Sequence, residues 1–255
     1  MRFLIPSYGR CGNVKTLEML RGYGVDDAAV TISTQTASEF EAYSAAYPRV
    51  NVVYREARNY AGNANTLLAT VGDGEPCFLM DDDVSSVAVL SKSKGRQKIP
   101  YGFRVASREA FLAELRAMAA ALERDVRCRI CTAYPKNSNV TVSGTFARDG
   151  RFSRNALSST WLAAVKPGLR FDEGMDAKED YELQIRELAQ GRSILRDNLL
   201  APNTASRITA AGTKGGRGFT YGSKQDEDGL RTIAARYPGM VSVDLRRSKI
   251  RLVNV

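Results

Sequence analysis

Three carboxylates in succession, Asp81, Asp82 and Asp83, follow directly on the apolar run Phe78-Leu79-Met80. Packed side by side, such groups repel one another unless a cation or basic side chains sit between them. An acidic cluster at the end of a buried strand is therefore a place to hold a divalent metal. The competing explanation is an acidic turn that stops the strand, its Asp side chains accepting from nearby backbone amides.

The chain contains no histidine, which excludes the commonest general base and a frequent metal ligand. Acid-base work falls to Asp, Glu, Lys, Tyr or Cys. A second acidic pair, Glu179-Asp180, opens a helical pattern in which Tyr181, Ile185 and Leu188 form the buried stripe. The positive end of a helix favours carboxylates without any catalytic role, and it is the upstream triple Asp that argues for catalysis. At another helix start stand Arg58, Asn59, Gly62 and Asn63. An exposed helix N-terminus beside arginine attracts anions, although a glycine-containing turn with a solvated arginine gives the same pattern. Cys128 and Cys131 are the only closely spaced cysteines, and a lone CxxC without histidine is a weak zinc signal. Reduced thiols are the expectation there.

These groups need elements to position them. Short apolar runs predict strands over Arg2 to Pro6, Ala28 to Ser33, Val50 to Tyr54 and Pro76 to Met80. Between them, helical patterns cover Val14 to Arg21 with Asn13 as cap, Ala37 to Ala46, and Ala61 to Val71, where Ala64, Leu67, Leu68 and Val71 make one apolar face. Alternating strands and helices imply an α/β fold: a mostly parallel twisted sheet with helices on both faces. Ligands in such sheets bind at the carboxyl ends of the strands. That places Ser7, Tyr8, Gly9 and Arg10, after the first strand, on the same edge as Asp81 to Asp83, after the fourth.

Lys92 to Arg104 is basic, carries Gly95, Pro100 and Gly102, and reads as a long loop. A helix from Ser107 to about Glu123 follows, with Phe111, Leu115, Met118 and Leu122 as a core-facing stripe. Arg129 to Tyr134, Val140 to Phe146 and Ser158 to Val165 read as strands, antiparallel in character, of a small acceptor-side region. The tail is glycine-rich from Thr213 to Gly218, turns helical near Gly229 to Tyr237, and ends in a basic alternating strand.

At 255 residues, with 44% apolar and 25% charged residues, the chain fits one large soluble α/β domain. Its apolar runs fall far short of a membrane span, and the N-terminus lacks the apolar core and cleavage site of a signal peptide. A cytoplasmic location is expected, the host cell's cytoplasm if a phage encodes it. The net charge of +9 favours a polyanionic partner, nucleic acid first.

The Asp81-Asp82-Asp83 cluster resembles the DxD motif of GT-A fold glycosyltransferases, whose order of elements the N-terminal half also follows. The resemblance implies a nucleotide-sugar donor, a UDP-sugar first, and a divalent cation, Mn2+ or Mg2+. Asp81 and Asp83 fit the outer, metal-binding positions, and Asp82 the ribose. The opening Pro6, Ser7, Tyr8 and Arg10 look like the first-strand loop that receives the nucleoside, and Arg58, Asn59 and Asn63 are similar to the segment that holds donor base or phosphate. Glu179 and Asp180 resemble the late acidic pair from which inverting members draw the catalytic base, Asp180 first. Many members add a late histidine as a metal ligand; here Asn203, diphosphate oxygens or water would fill that position. The resemblance covers roughly residues 1 to 200, leaving 201 to 255 as a basic C-terminal segment expected to pack on the same domain.

Basic residues suggest the acceptor. Lys92, Lys94, Arg96 and Lys98 in the loop, and Lys214, Arg217 and further Lys and Arg in the tail, form a pattern that neutralises phosphates. Tyr101, Phe103, Phe219 and Tyr221 lie among them and could stack on a base or sugar. In its compact length the chain resembles the glycosyltransferases associated with TET/JBP-type oxygenases and encoded by phages. That resemblance implies a 5-hydroxymethylpyrimidine in DNA as acceptor, with the base flipped out of the stack. A GT-A transferase acting on polysaccharide, lipid or protein, a nucleotidyltransferase, and a non-catalytic nucleic-acid-binding protein are the alternatives.

Overall fold

The computed structural model describes residues 1–72, 74–92, 101–135, 145–146, 148–204 and 223–253, with Lys92, Tyr101 and Gly102 described through their backbone alone. The first half alternates strand and helix as the periodicity predicts: β1 (Arg2–Pro6), α1 (Lys15–Gly22), β2 (Val30–Thr34), α2 (Ala37–Ala46), β3 (Asn51–Tyr54), α3 (Tyr60–Leu68) and β4 (Cys77–Met80). β5 (Val84–Lys92) and β6 (Tyr101–Val105) follow, then α4 (Arg108–Arg124), β7 (Cys128–Ala133), β8 (Phe152–Arg154) and β9 (Leu162–Val165). The chain closes with α5 (Glu179–Ala189), β10 (Ser193–Asp197), β11 (Leu200–Thr204), α6 (Lys224–Arg236), β12 (Val241–Asp244) and β13 (Lys249–Leu252).

An eight-stranded sheet in the order β3-β2-β1-β4-β9-β7-β10-β8 forms the centre. β3, β2, β1 and β4 run parallel. β9 is antiparallel to both of its neighbours, β4 and β7, and β10 is parallel to β7 and antiparallel to β8. Successive side chains of a strand face opposite sides of its sheet, so one strand serves two cores. Phe3, Ile5, Phe78, Met80, Leu162 and Ala164 pack with Leu17 and Leu20 of α1 and the α4 stripe Phe111, Leu115, Met118 and Leu122. Leu4, Cys77, Leu79, Ala163 and Val165 pack on the other side with Ala61, Ala64, Leu67 and Leu68 of α3 and Leu183 and Leu188 of α5.

β11, β5 and β6 make a small antiparallel sheet, with β5 in the middle. Here the sequence expectations need correction. Tyr101 to Arg104, read as loop, lies in strand β6, because Gly102 is tolerated at an edge position opposite Ser91. The strand expected over Val140 to Phe146 lies mostly outside the described residues, and its last two, Thr145 and Phe146, are helical. Of Ser158 to Val165 only Leu162–Val165 is strand. Asn13 does not cap α1; Val14 holds that position, with no side-chain cap bond. Cys128 and Cys131 are free, fully buried thiols in the apolar core, and burial raises the pKa of both. No helix among the described residues is long and apolar enough to cross a membrane.

Candidate active site

The register of β1 with β4 brings the loops after both strands to one sheet edge. Ser7 donates to Asp82 across 2.7 Å, and Arg10 lies 3.4 Å from Asp82 and 3.9 Å from Asp83. Tyr43 of α2 braces this loop. Its hydroxyl accepts from the Arg10 amide at 2.9 Å and sits 2.9 Å from the Ser7 hydroxyl. Asn63, buried in α3, donates 3.0 Å to the Ser7 carbonyl, while its own amide oxygen is buried without a partner among the described residues. Pro6 is the last residue of β1, and the Tyr8 backbone amide donates to Asp82.

The acidic turn is held in shape by Thr16 of α1, whose hydroxyl donates to the Asp81 carbonyl and accepts from the Val84 amide at 2.9 Å. Asp81 and Asp82 are half-buried and Asp83 is buried. Burial, then the charge of Asp83, holds Asp81 well above the ordinary carboxylate range, with Asp82 and Asp180 adding to the rise. The Tyr60 hydroxyl opposes it by donating to Asp81 across 2.9 Å. Asp82 is pushed up to about 6, chiefly by burial, although Arg10 and Ser7 both stabilise its charge.

The charge of Asp180, remote in the chain, also bears on Asp81. Lys178, just before α5, adopts a left-handed conformation with φ 63°, which turns the chain into the helix at Glu179. Burial raises the pKa of both members of the pair; repulsion from Asp180 adds to the rise of Glu179, and Lys178 opposes it for both. Asp180 also accepts from the backbone amides of Tyr181, at 2.8 Å, and Thr160. Burial raises the pKa of Tyr60, and the charges of Asp81 and Glu179 both add to that rise.

The remaining expected donor residues are engaged elsewhere. Arg58 pairs with Asp176 at 2.6 Å. Asn59 caps α3 by accepting from the Gly62 amide and donates to the carbonyls of Glu173 and Met175 and to the Asp176 carboxylate. This ties the start of α3 to the segment that leads into Glu179-Asp180. Asn203 on β11 donates to Ser86 at 2.8 Å. Lys92 is described only as the end of β5, and Lys94, Arg96, Lys98, Lys214 and Arg217 lie outside the described residues. Thr16, Tyr43, Tyr60 and Lys178 shape the site without having stood out in the sequence, because their partners are remote in the chain or, for Lys178, set by a local backbone turn.

The donor set is all oxygen, acidic and mutually repelling, with Arg10 paired to Asp82 and Asp83. Those are conditions that a hard divalent cation relieves. Among the described residues no three acidic, Cys or His side chains already converge as a metal cage. A cation held by one or two carboxylates and completed by substrate phosphates and water needs no such cage.

Two solved structures share this fold at low sequence identity. One is the mannosyltransferase PcManGT from Pyrobaculum calidifontis in complex with GDP-Man and Mn2+, 14% identical, with a TM-score of 0.51 over 82% of this chain and 57% of that one. Another is residues 1–349 of S. aureus TarS in complex with UDP, 12% identical, with a TM-score of 0.50 over 92% of this chain and 65% of that one. The chain thus spans less than two thirds of either protein's length. No curated protein matches it in sequence. The family model described as TET-Associated Glycosyltransferase matches residues 1–212, and by that match the chain belongs to the TET-associated glycosyltransferase family.

Proposed function

We propose that the protein transfers a sugar from a nucleotide-sugar donor to the hydroxyl of a 5-hydroxymethylpyrimidine in DNA, with inversion at the anomeric carbon. The observation that carries this reading is the acidic turn after β4 held against the loop after β1 by Ser7 and Arg10, with the charge of Asp180 at the start of α5 bearing on Asp81. The family, matched over residues 1–212, supports sugar transfer and a DNA acceptor.

In this reading the loop from Pro6 to Arg10 receives the nucleoside, with Asp82 held ready by Ser7 and Arg10 for a ribose hydroxyl. Asp81 and Asp83 would hold Mn2+ or Mg2+, which when bound neutralises the diphosphate leaving group. Asp180 takes the proton of the acceptor hydroxyl as its oxygen bonds to the anomeric carbon and the bond from that carbon to the diphosphate oxygen breaks. Its two backbone amide bonds keep the carboxylate aimed, and a raised pKa makes it a stronger base than an exposed aspartate. Glu179 is the second choice for that role.

UDP-sugars are the first donors to test, with GDP-mannose beside them, since the two structural neighbours carry UDP and GDP-Man. The test is incorporation of labelled sugar into hydroxymethylated duplex DNA, with unmodified duplex as control. Incorporation only into the modified duplex is expected; donor hydrolysis with no incorporation into either would remove the DNA acceptor.

A further inference from the structure

The C-terminal elements α6, β12 and β13 lie beyond residue 212, where the family match ends. They pack directly on the start of α5. Ile233, Tyr237, Val241, Ile250 and Leu252 share an apolar cluster with Met175, Tyr181 and Ile185. Where β13 meets α5, a cleft of about 190 Å3 opens, lined by Lys178, Tyr181, Ser248, Lys249, Ile250 and Arg251. Lys178 and Tyr181 bracket Glu179 and Asp180 in the chain, so the cleft lies at the same end of α5 as the candidate base, although neither acid lines it.

Its chemistry is that of an anion site. On β13 the side chains alternate: Ile250 and Leu252 turn to the apolar cluster, while Lys249 and Arg251 are exposed. Among the described residues neither Lys249 nor Arg251 has a carboxylate within ion-pairing distance, whereas Arg247 of the same hairpin is 3.8 Å from Asp244. Lys178 is already neutralised by Asp226 at 2.9 Å. The Ser248 hydroxyl oxygen is buried and has no hydrogen-bond partner among the described residues. Lys249 and Arg251, two cations with no ion-pair partner among the described residues, thus line the cleft together with Ile250 and Tyr181.

We infer that this cleft binds a backbone phosphate of the acceptor DNA strand and so holds the strand at the end of α5 that carries Asp180. The inference rests on the DNA-acceptor reading above and assigns the strand-holding role to a part of the chain outside the family match. Lys249 and Arg251 supply the charge that a phosphate needs.

The test is fluorescence anisotropy of the full chain with a hydroxymethylated duplex, between roughly 50 and 200 mM salt. The double variant Lys249→Gln/Arg251→Gln is compared with wild type and with Arg246→Gln, an exposed change on the same hairpin outside the cleft. The double variant is expected to bind more weakly at low salt, with the slope of log affinity against log salt reduced by about 2, and Arg246→Gln is expected to change it by less. Equal slopes for wild type and double variant, or loss of inorganic phosphate binding with unchanged DNA binding, would overturn the proposal. So would a wild-type chain with no DNA affinity. Sugar transfer is scored separately: a chain that binds DNA through Lys249 and Arg251 but transfers no sugar keeps the cleft and removes the proposed activity.

Discussion

Lys178 and Asp226 form a 2.9 Å ion pair with side chains only 9% and 6% exposed, fixing the C-terminal helix to the residue just before Glu179 and Asp180. Beside it, Gly229 of α6 lies so close that an added Cβ would sit 2.6 Å from the Ala177 carbonyl oxygen. The segment that presents the candidate base is therefore held from outside the central sheet. Breaking one partner of a buried pair costs about 3–5 kcal/mol. Asp226→Asn and Gly229→Ala are each expected to lower the melting temperature and to reduce transfer. Calorimetry with a transfer assay checks this, and wild-type values in both variants would show that the contact holds nothing in place.

Asp180→Asn and Asp83→Asn separate the two acidic groups by role. Asp180→Asn is expected to keep nucleotide-sugar affinity and lose transfer by about 10²–10⁴-fold, the usual contribution of a general base. Asp83→Asn is expected to lose the response of turnover to added Mn2+. Titration calorimetry with UDP and initial rates across a Mn2+ series distinguish them. A variant with unchanged rates would take its residue out of the mechanism.

The acid limb of activity follows from the raised pKa of the Glu179-Asp180 pair. A base works ionised, so kcat/KM should fall as pH drops below an apparent pKa higher than that of an ordinary carboxylate. The positive charge of Lys178 opposes the rise, so Lys178→Met should move the limb to higher pH. Rate profiles of wild type and variant show the direction, and a shift to lower pH would mean that another group titrates.

Much of the frame is legible in the sequence. Helix α2 has the bounds its pattern predicts, and Thr36 caps it by accepting from the Glu39 amide. The stripe Phe111, Leu115, Met118 and Leu122 is buried throughout. β5 escaped notice because it starts at Val84, right after the acidic turn, and Ser85, Ser86 and Ser91 interrupt its apolar pattern. The acidic groups stood out by type and clustering. Tyr60, Tyr43 and Thr16 did not, because an aromatic or hydroxyl residue on a helix carries no sign that it will bond to a loop several elements away.

Asp197 provides a test of stability away from the site. It is fully buried at the end of β10, and burial pushes it up to about 7 although Arg151 opposes the rise. An acid whose pKa is higher folded than unfolded binds its proton more tightly in the folded chain. Its contribution to stability therefore falls as pH rises from about 4 to about 7, by at most about 4 kcal/mol. Asp197→Asn should remove that slope. Urea unfolding at a series of pH values measures it, and parallel curves for the two proteins would assign the titration elsewhere.

The central claim is tested most directly by mass spectrometry of nucleosides from hydroxymethylcytosine- and hydroxymethyluracil-containing DNA, after incubation with the protein, Mn2+ and a panel of nucleotide sugars. The account predicts a hexose or pentose mass gain on a hydroxymethylated nucleoside, lost in Asp180→Asn. Donor consumption with no gain on either nucleoside, or an equal gain with Asp180→Asn, would contradict it.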